Sequence, residues 1–131
     1  MKLWLYDKAI QLNANDYYGW NERGRVLWHL KRYEEALSSF NKSIQLKSDY
    51  SYSWHTRGYA LEQLGHYDGA LVAYNKAIQF NSDPSYSWQG RGVALENLRR
   101  YEEALAAYDK AIQLDPTNTI AIEIDPGCGK G

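Results

Sequence analysis

A short motif occurs three times in the 131-residue chain, each time as tryptophan, two variable residues, arginine and glycine. The three copies begin at Trp20, Trp54 and Trp88, so each copy follows the last by 34 residues. Many other residues keep this step, among them Gly24, Gly58 and Gly92; Tyr33, Tyr67 and Tyr101; Ala36, Ala70 and Ala104; Phe40, Tyr74 and Tyr108; and Ile10, Ile44, Ile78 and Ile112. A fixed period of this length predicts stacked structural units, each burying its apolar face on the next.

Within each unit the apolar residues recur at helical spacing. The first segment of the first unit carries Trp20, Leu27 and Leu30, and a second segment carries Ala36, Phe40 and Ile44. Because only about two residues separate such segments, we expect each unit to be an antiparallel helical hairpin. The small residues at matching positions would let the paired helices approach closely.

Local signals also indicate where helices begin and end. Gly65 is suited to the position just after a first helix. Asp83 and Pro84 suit an N-cap followed by the first turn of another helix. The acidic pairs at 34–35 and 102–103 are expected in first turns, where the helix dipole favours negative charge.

In its period and in its Trp, Gly, Ala, aromatic and Pro landmarks, the chain resembles the tetratricopeptide repeat family. The resemblance implies an all-α fold, a right-handed α-solenoid of stacked antiparallel helix-turn-helix repeats. Its boundaries would be a half repeat at 1–16 (second helix only), full repeats at 17–50, 51–84 and 85–118, and a truncated repeat or C-terminal tail at 119–131. The chain departs from the family pattern at Arg23, Arg57 and Arg91, where leucine is usual, and at Ala14, Ser48 and Ser82, where proline is usual.

The tryptophans and the arginines that follow them are both expected to be structural. A Trp-Leu-Leu stripe is typical of a core, so we expect Trp20, Trp54 and Trp88 to be buried. The arginines three residues later fall on the same side, where a charge is costly unless it is paired. We expect each arginine stem to pack under an aromatic ring, with its guanidinium bonded to a carboxylate or to helix C-terminal carbonyls.

A binding surface is expected on the face that the core does not use, since first helices line the concave side of a solenoid. Four positions per unit face away from the tryptophan stripe: Tyr18, Asn21, Arg25 and Trp28; Tyr52, His55, Tyr59 and Glu62; and Tyr86, Gln89, Val93 and Glu96. A row of exposed tyrosines at 18, 52 and 86 would form a recognition groove, because aromatic side chains are enriched at binding hot spots. Alternatively, these tyrosines pack on the preceding helix.

The resemblance also bears on the ligand. Tetratricopeptide domains that bind the tails of heat-shock chaperones use a clamp of lysine, asparagine and arginine side chains for carboxylates. Those places hold Asn21, Arg25, Thr56, Tyr86 and Gly90, so we expect no carboxylate clamp. With Arg25 at one end and Glu62 and Glu96 toward the other, a mixed-polarity peptide or helix of a partner protein is favoured, with an apolar side chain between its charges.

Other functions remain as alternatives. The arginine ladder could read RNA bases, as in pentatricopeptide arrays, although those have a 35-residue period. A formal net charge of −1 gives no bulk attraction to nucleic acid or to anionic membranes, so neither is expected as a partner. The chain could also be the non-catalytic part of a larger regulatory protein or enzyme.

We find no motif that predicts catalysis, a metal or a cofactor. His29, His55 and His66 occupy different positions in their units and have no cysteine partners. The glycine-rich end around Cys128 lacks the spacing of a phosphate-binding loop. The single cysteine and the lack of a long apolar run favour a cytoplasmic chain.

The N-terminal segment leaves an apolar stripe of Leu3, Leu5, Tyr6 and Ile10 where a terminal repeat is normally polar. We expect something to cover it. Either the sequence is part of a longer array, or chains associate end to end or exchange their terminal helices.

Overall fold

The computed structural model describes residues 2–81 and 84–117. They form seven helices, and no strand lies within these ranges: α1 (Leu3–Leu12), α2 (Tyr17–His29), α3 (Tyr33–Leu46), α4 (Ser51–Gln63), α5 (Tyr67–Phe80), α6 (Ser85–Asn97) and α7 (Tyr101–Leu114). Each helix packs on the next, and α2 also contacts α4 as α4 contacts α6. The predicted all-α solenoid of helix-turn-helix repeats is confirmed, with α2, α4 and α6 as the first helices of three hairpins.

The two helices of each hairpin approach most closely where a glycine faces an aromatic ring. A Cβ atom at Gly24 would collide with Cε1 of Phe40, and one at Gly58 would lie only 2.6 Å from Cε1 of Tyr74. The third hairpin repeats the contact between α6 and Tyr108. The rings of the second helices therefore rest directly on the backbone of the first helices. The close approach of paired helices that the small residues predicted is confirmed, and the ring contact is a finding of the structure.

The turn inside each hairpin uses the left-handed backbone region. Gly65 has a φ of 79°, and its equivalents Lys31 and Arg99 each have a φ of 62°. The amide of His66 donates to the carbonyl oxygen of Leu61 at 2.8 Å, which closes the end of α4. The predicted role of Gly65 is therefore confirmed.

Both acidic pairs lie in first turns of helices, as predicted. Glu34 and Glu35 lie in the first turn of α3, and the equivalent pair at 102–103 lies in the first turn of α7. Helix α6 begins at Ser85 with Pro84 as its N-cap, so the expectation that Pro84 lies in the first turn is wrong by one residue. Asp83, the expected N-cap, lies outside the described residues. The segment 119–131, with Cys128, also lies outside them.

The expectation that the repeated tryptophans are buried is wrong, since all three are half-buried. The indole Nε1 of Trp20 donates to the carbonyl oxygen of Ala14 at 2.9 Å, and that of Trp54 donates to Ser48 at 2.7 Å. Each of these indoles closes the loop before its own helix. It lies at the edge of the helix layer because its N–H must reach a loop carbonyl.

The arginines bind to the same tryptophans. The guanidinium carbons of Arg23, Arg57 and Arg91 lie 5.9, 5.9 and 5.3 Å from the centroids of Trp20, Trp54 and Trp88. Packing against an aromatic ring is thus confirmed.

The oxygen partners of these arginines differ in part from the expected ones. Arg23 donates to a carboxylate oxygen of Asp7 at 2.6 Å and to the hydroxyl of Ser39 at 2.7 Å. The other two arginines donate instead to amide oxygens, of Asn41 and Asn75, each at 2.7 Å. The acceptors Asp7, Asn41 and Asn75 each stand 16 residues before their arginines and recur every 34 residues.

The glycine contact predicts unequal effects for two similar substitutions in one hairpin. Gly58→Ala forces a methyl group into Tyr74 and should lower the free energy of unfolding by about 1–3 kcal/mol. Gly69→Ala on α5 meets only the flexible side chain of Leu61, at 3.3 Å, and should change it by less than about 1 kcal/mol. Urea denaturation of both variants measures the difference, and equal losses would contradict the packing described.

Candidate functional site

The three first helices line a groove with a volume of about 770 Å³. Seven of the twelve residues predicted from the sequence lie on it: Tyr18, Asn21, Arg25, Tyr52, His55, Tyr59 and Tyr86. The groove also includes residues that the sequence did not suggest, namely Glu22, Tyr50, Ser51, Thr56, Asn81 and Ser87. Tyr50 and Ser51 come from the junction between α3 and α4, which an analysis of helix faces alone does not bring to this surface.

The tyrosine row is exposed along the groove. Tyr18, Tyr52 and Tyr86 are 53%, 61% and 58% exposed, and one stands on each first helix at the same repeat position. Tyr50 extends the row, with its ring centroid 5.6 Å from that of Tyr52 and 4.9 Å from that of Tyr17. Burial raises the pKa of the Tyr50 hydroxyl to about 12, so it is protonated at neutral pH.

A second repeat position forms polar links beneath the row. The amide oxygen of Asn21 accepts hydrogen bonds from Ser53 at 3.1 Å and from Thr56 at 2.9 Å. Nδ1 of His55 lies 3.0 Å from the hydroxyl of Ser87. At both residues the side chain joins one first helix to the next, so its polar atoms serve the stacking of repeats.

Gln89 occupies the third copy of this position and is 8% exposed. Its Oε1 is buried and has no hydrogen-bond partner within residues 2–81 and 84–117. It lies away from the groove lining.

His55 is uncharged at neutral pH, because burial lowers its pKa to about 4. Its ring centroid lies 4.5 Å from that of Tyr59 and 5.7 Å from that of Tyr74, in edge-to-face contacts. The centre of the groove therefore combines an apolar aromatic cluster with a neutral imidazole.

The charges expected at the two ends of the groove are all bonded within the protein. Nη1 of Arg25 lies 3.1 Å from Oε2 of Glu22. Glu62 accepts a hydrogen bond from the hydroxyl of Tyr74 at 3.0 Å, and burial raises its pKa to about 7 despite that bond. Glu96 accepts from Tyr108 at 2.8 Å.

The remaining predicted residues lie outside the groove. Trp28 lines an adjoining cavity of about 220 Å³ together with Arg25 and Tyr59. Val93 packs on the core between α6 and α7, and neither Glu62 nor Glu96 reaches the groove lining. The side chains at these positions turn toward the second helix of their own hairpin, which the helical wheel of the first helix alone does not show.

In the part of the chain that the structure describes, no group of three or more histidine, cysteine, aspartate or glutamate side chains is placed to hold a metal ion. No helix in that part is long and apolar enough to cross a membrane.

Models of the tetratricopeptide repeat match the sequence at residues 17–50, 51–84 and 85–118. No curated protein matches the sequence.

Several solved structures share the fold. MamA is 19% identical with a TM-score of 0.85, over 92% of this chain and 70% of its own. YrrB, described as having an unusual peptide-binding site, is 22% identical with a TM-score of 0.81, over 89% of this chain and 60% of its own. The first tetratricopeptide domain of Spaghetti (RPAP3), bound to an HSP90 peptide, is 22% identical with a TM-score of 0.82, over 87% of this chain and 90% of its own.

The neutral, buried His55 predicts a pH-dependent stability difference. As the pH falls from 7 to 4 the unfolded chain gains a proton at this residue, whereas the folded chain stays mostly neutral until the pH approaches 4, so the folded state loses stability. His55→Asn removes this effect and keeps an amide, as at Asn21. The free energy of unfolding of the wild type minus that of the variant should decline by about 2–3 kcal/mol over this range.

Urea denaturation at a series of pH values measures this difference. Glu62 acts in the opposite direction, because its raised pKa favours the folded state at low pH and this contribution is lost as the pH rises toward 7. It is present in both proteins and cancels in the subtraction. A difference that stays constant with pH would show that His55 gains its proton as readily in the folded chain as in the unfolded chain, which would contradict a lowered pKa.

Proposed function

Because the chain belongs to the tetratricopeptide repeat family, we propose that it is a protein-interaction scaffold that binds an extended peptide segment of a partner protein. The segment would lie in the groove across α2, α4 and α6. The observation that carries the proposal is the row of Tyr18, Tyr52 and Tyr86, each more than half exposed. Tyrosine provides a large contact area at a small cost in conformational entropy, which suits a binding surface.

The charges of the groove favour an uncharged ligand. Among the described lining residues the charged side chains are Arg25 and Glu22, which pair with each other. A charged ligand would lose its water there without gaining an opposite charge. An uncharged segment therefore replaces the mixed-polarity ligand that the sequence favoured.

The spacing of the tyrosines favours a polyproline II conformation. Packed helices lie about 8–10 Å apart, and because α2 contacts α4 and α4 contacts α6, we expect the tyrosines of successive first helices to recur at about that distance. A polyproline II helix advances about 9 Å in each three-residue turn. One side chain of each turn can therefore meet one tyrosine, and grooves lined by aromatic residues are known to bind such segments.

The RNA-binding alternative depends on Arg23, Arg57 and Arg91. Each guanidinium packs on a tryptophan ring and donates to an oxygen acceptor at 2.6–2.7 Å. None of the three lines the groove. These contacts support a structural role for the arginines, and the proposal assigns no catalytic residue.

A fluorescently labelled decaproline peptide provides a direct probe of the groove. Titration followed by fluorescence anisotropy should show binding, and Tyr52→Ala should weaken it about tenfold or more, the loss typical of a hot-spot residue. Tyr101→Ala is the matched control, because Tyr101 is similarly exposed but lies on α7 away from the groove.

Two further peptides of the same length test the chemistry of the ligand. A glycine–serine peptide and an acidic peptide should both bind more weakly than decaproline. Equal binding of the three peptides, or equal losses in the two tyrosine variants, would contradict the proposal.

A further inference from the structure

The first and last helices of the described chain share seven consecutive residues. Tyr6–Leu12 of α1 and Tyr108–Leu114 of α7 both read YDKAIQL, three 34-residue periods apart. The equivalent segments of α3 and α5 read FNKSIQL and YNKAIQF, so the aspartate is shared by α1 and α7 and absent from the helices between them. Helix α7 therefore carries a copy of the surface by which α1 packs.

Helix α1 is held beside α2 by three side chains. Leu3 packs on the apolar cluster that includes Leu27. Asp7 accepts the 2.6 Å bond from Nε of Arg23, and Ile10 is the one buried residue of the helix. Other apolar side chains of α1 are exposed, including Trp4, Leu5 and Leu12.

Helix α7 has the same three residue types at the equivalent positions, 105, 109 and 112. On α5 the equivalents Leu71 and Asn75 pack on α6, where Asn75 accepts from Arg91. On α7, Leu105 is 47% exposed, and Asp109 is exposed without a bonded partner in the described part of the chain. Within residues 2–81 and 84–117, no first helix lies beside this face of α7, whereas α4 lies beside α3 and α6 beside α5.

We propose that α7 of one copy takes the place of α1 beside α2 of a second copy. Asp109 would accept from Arg23 of the other copy, and Leu105 would pack where Leu3 lies. The charges match, and the contact continues the stacking already present between α3 and α4 and between α5 and α6. Because the two surfaces differ, the association is head-to-tail and can add further copies.

The tethered α1 competes with α7 of the second copy. Its high effective concentration makes association of the wild type weak and dependent on chain concentration. Loosening α1 should therefore strengthen association, an effect opposite to the one expected if α1 itself formed the interface.

Sedimentation velocity of the full chain over a concentration series tests whether loosening α1 strengthens or weakens association. Asp7→Ala frees Arg23, and it should raise the weight-average mass about twofold or more at a concentration where the wild type is mostly monomer. Asp7→Asn is the matched control, because asparagine is the acceptor at 41 and 75, and it should behave as the wild type. Circular dichroism checks that the helix content of both variants is kept.

A second substitution tests the other side of the interface. Leu105→Glu, added to Asp7→Ala, should return the chain to monomer, whereas Val72→Glu on α5, also an exposed apolar residue, should not. Leu105→Glu and Val72→Glu can also be introduced separately into the wild-type chain. Their weight-average masses at the highest concentration test the interface without relying on the folding of Asp7→Ala.

Three results would overturn the proposal. The first is a monomer for Asp7→Ala at every concentration with its helix content intact. The second is an association that Leu105→Glu and Val72→Glu affect equally. The third is a loss of thermal stability in Leu105→Glu alone, in dilute monomeric solution, which would show that the chain's own segment after Thr117 covers this face of α7.

Discussion

The contact between an aromatic ring and a glycine backbone sets the spacing of the helices on which the other features depend. Tyr74 shows this most clearly, because its ring lies on Gly58 of its own hairpin and also on Gly90 of the next first helix. One fully buried side chain thus fixes the distance within a repeat and between two repeats. The first helices come to lie side by side, and their tyrosines form one continuous row.

The close spacing also decides the chemistry beneath that row. Helices at this distance bring the polar side chains at positions 21 and 55 against hydroxyl groups of the next first helix. Burial keeps His55 neutral, and Glu62 accepts a hydrogen bond from the hydroxyl of Tyr74, whose ring carbons rest on Gly58. The groove therefore presents aromatic surface with little net charge, which is the basis of the proposed ligand chemistry.

The helices, the hairpins and the close approach of paired helices at small residues could be predicted from the sequence, because they depend on a period that is visible along the chain. The tryptophans were placed too deeply, since a helical wheel does not show the loop carbonyls that bind Trp20 and Trp54. Glu62 and Glu96 were placed in the groove, although each bonds to a tyrosine 12 residues later on the second helix.

The acceptors of the arginines could have been found from the same period. Asp7, Asn41 and Asn75 keep the 34-residue step and stand 16 residues before Arg23, Arg57 and Arg91.

A double-mutant cycle of Gly58→Ala and Tyr74→Leu, followed by urea denaturation, tests the ring–glycine contact most directly. If the glycine is required because the ring lies on it, the double variant should lose less free energy of unfolding than the two single variants lose together, by about 1 kcal/mol or more. Additive losses would show that the ring and the glycine do not set the helix spacing.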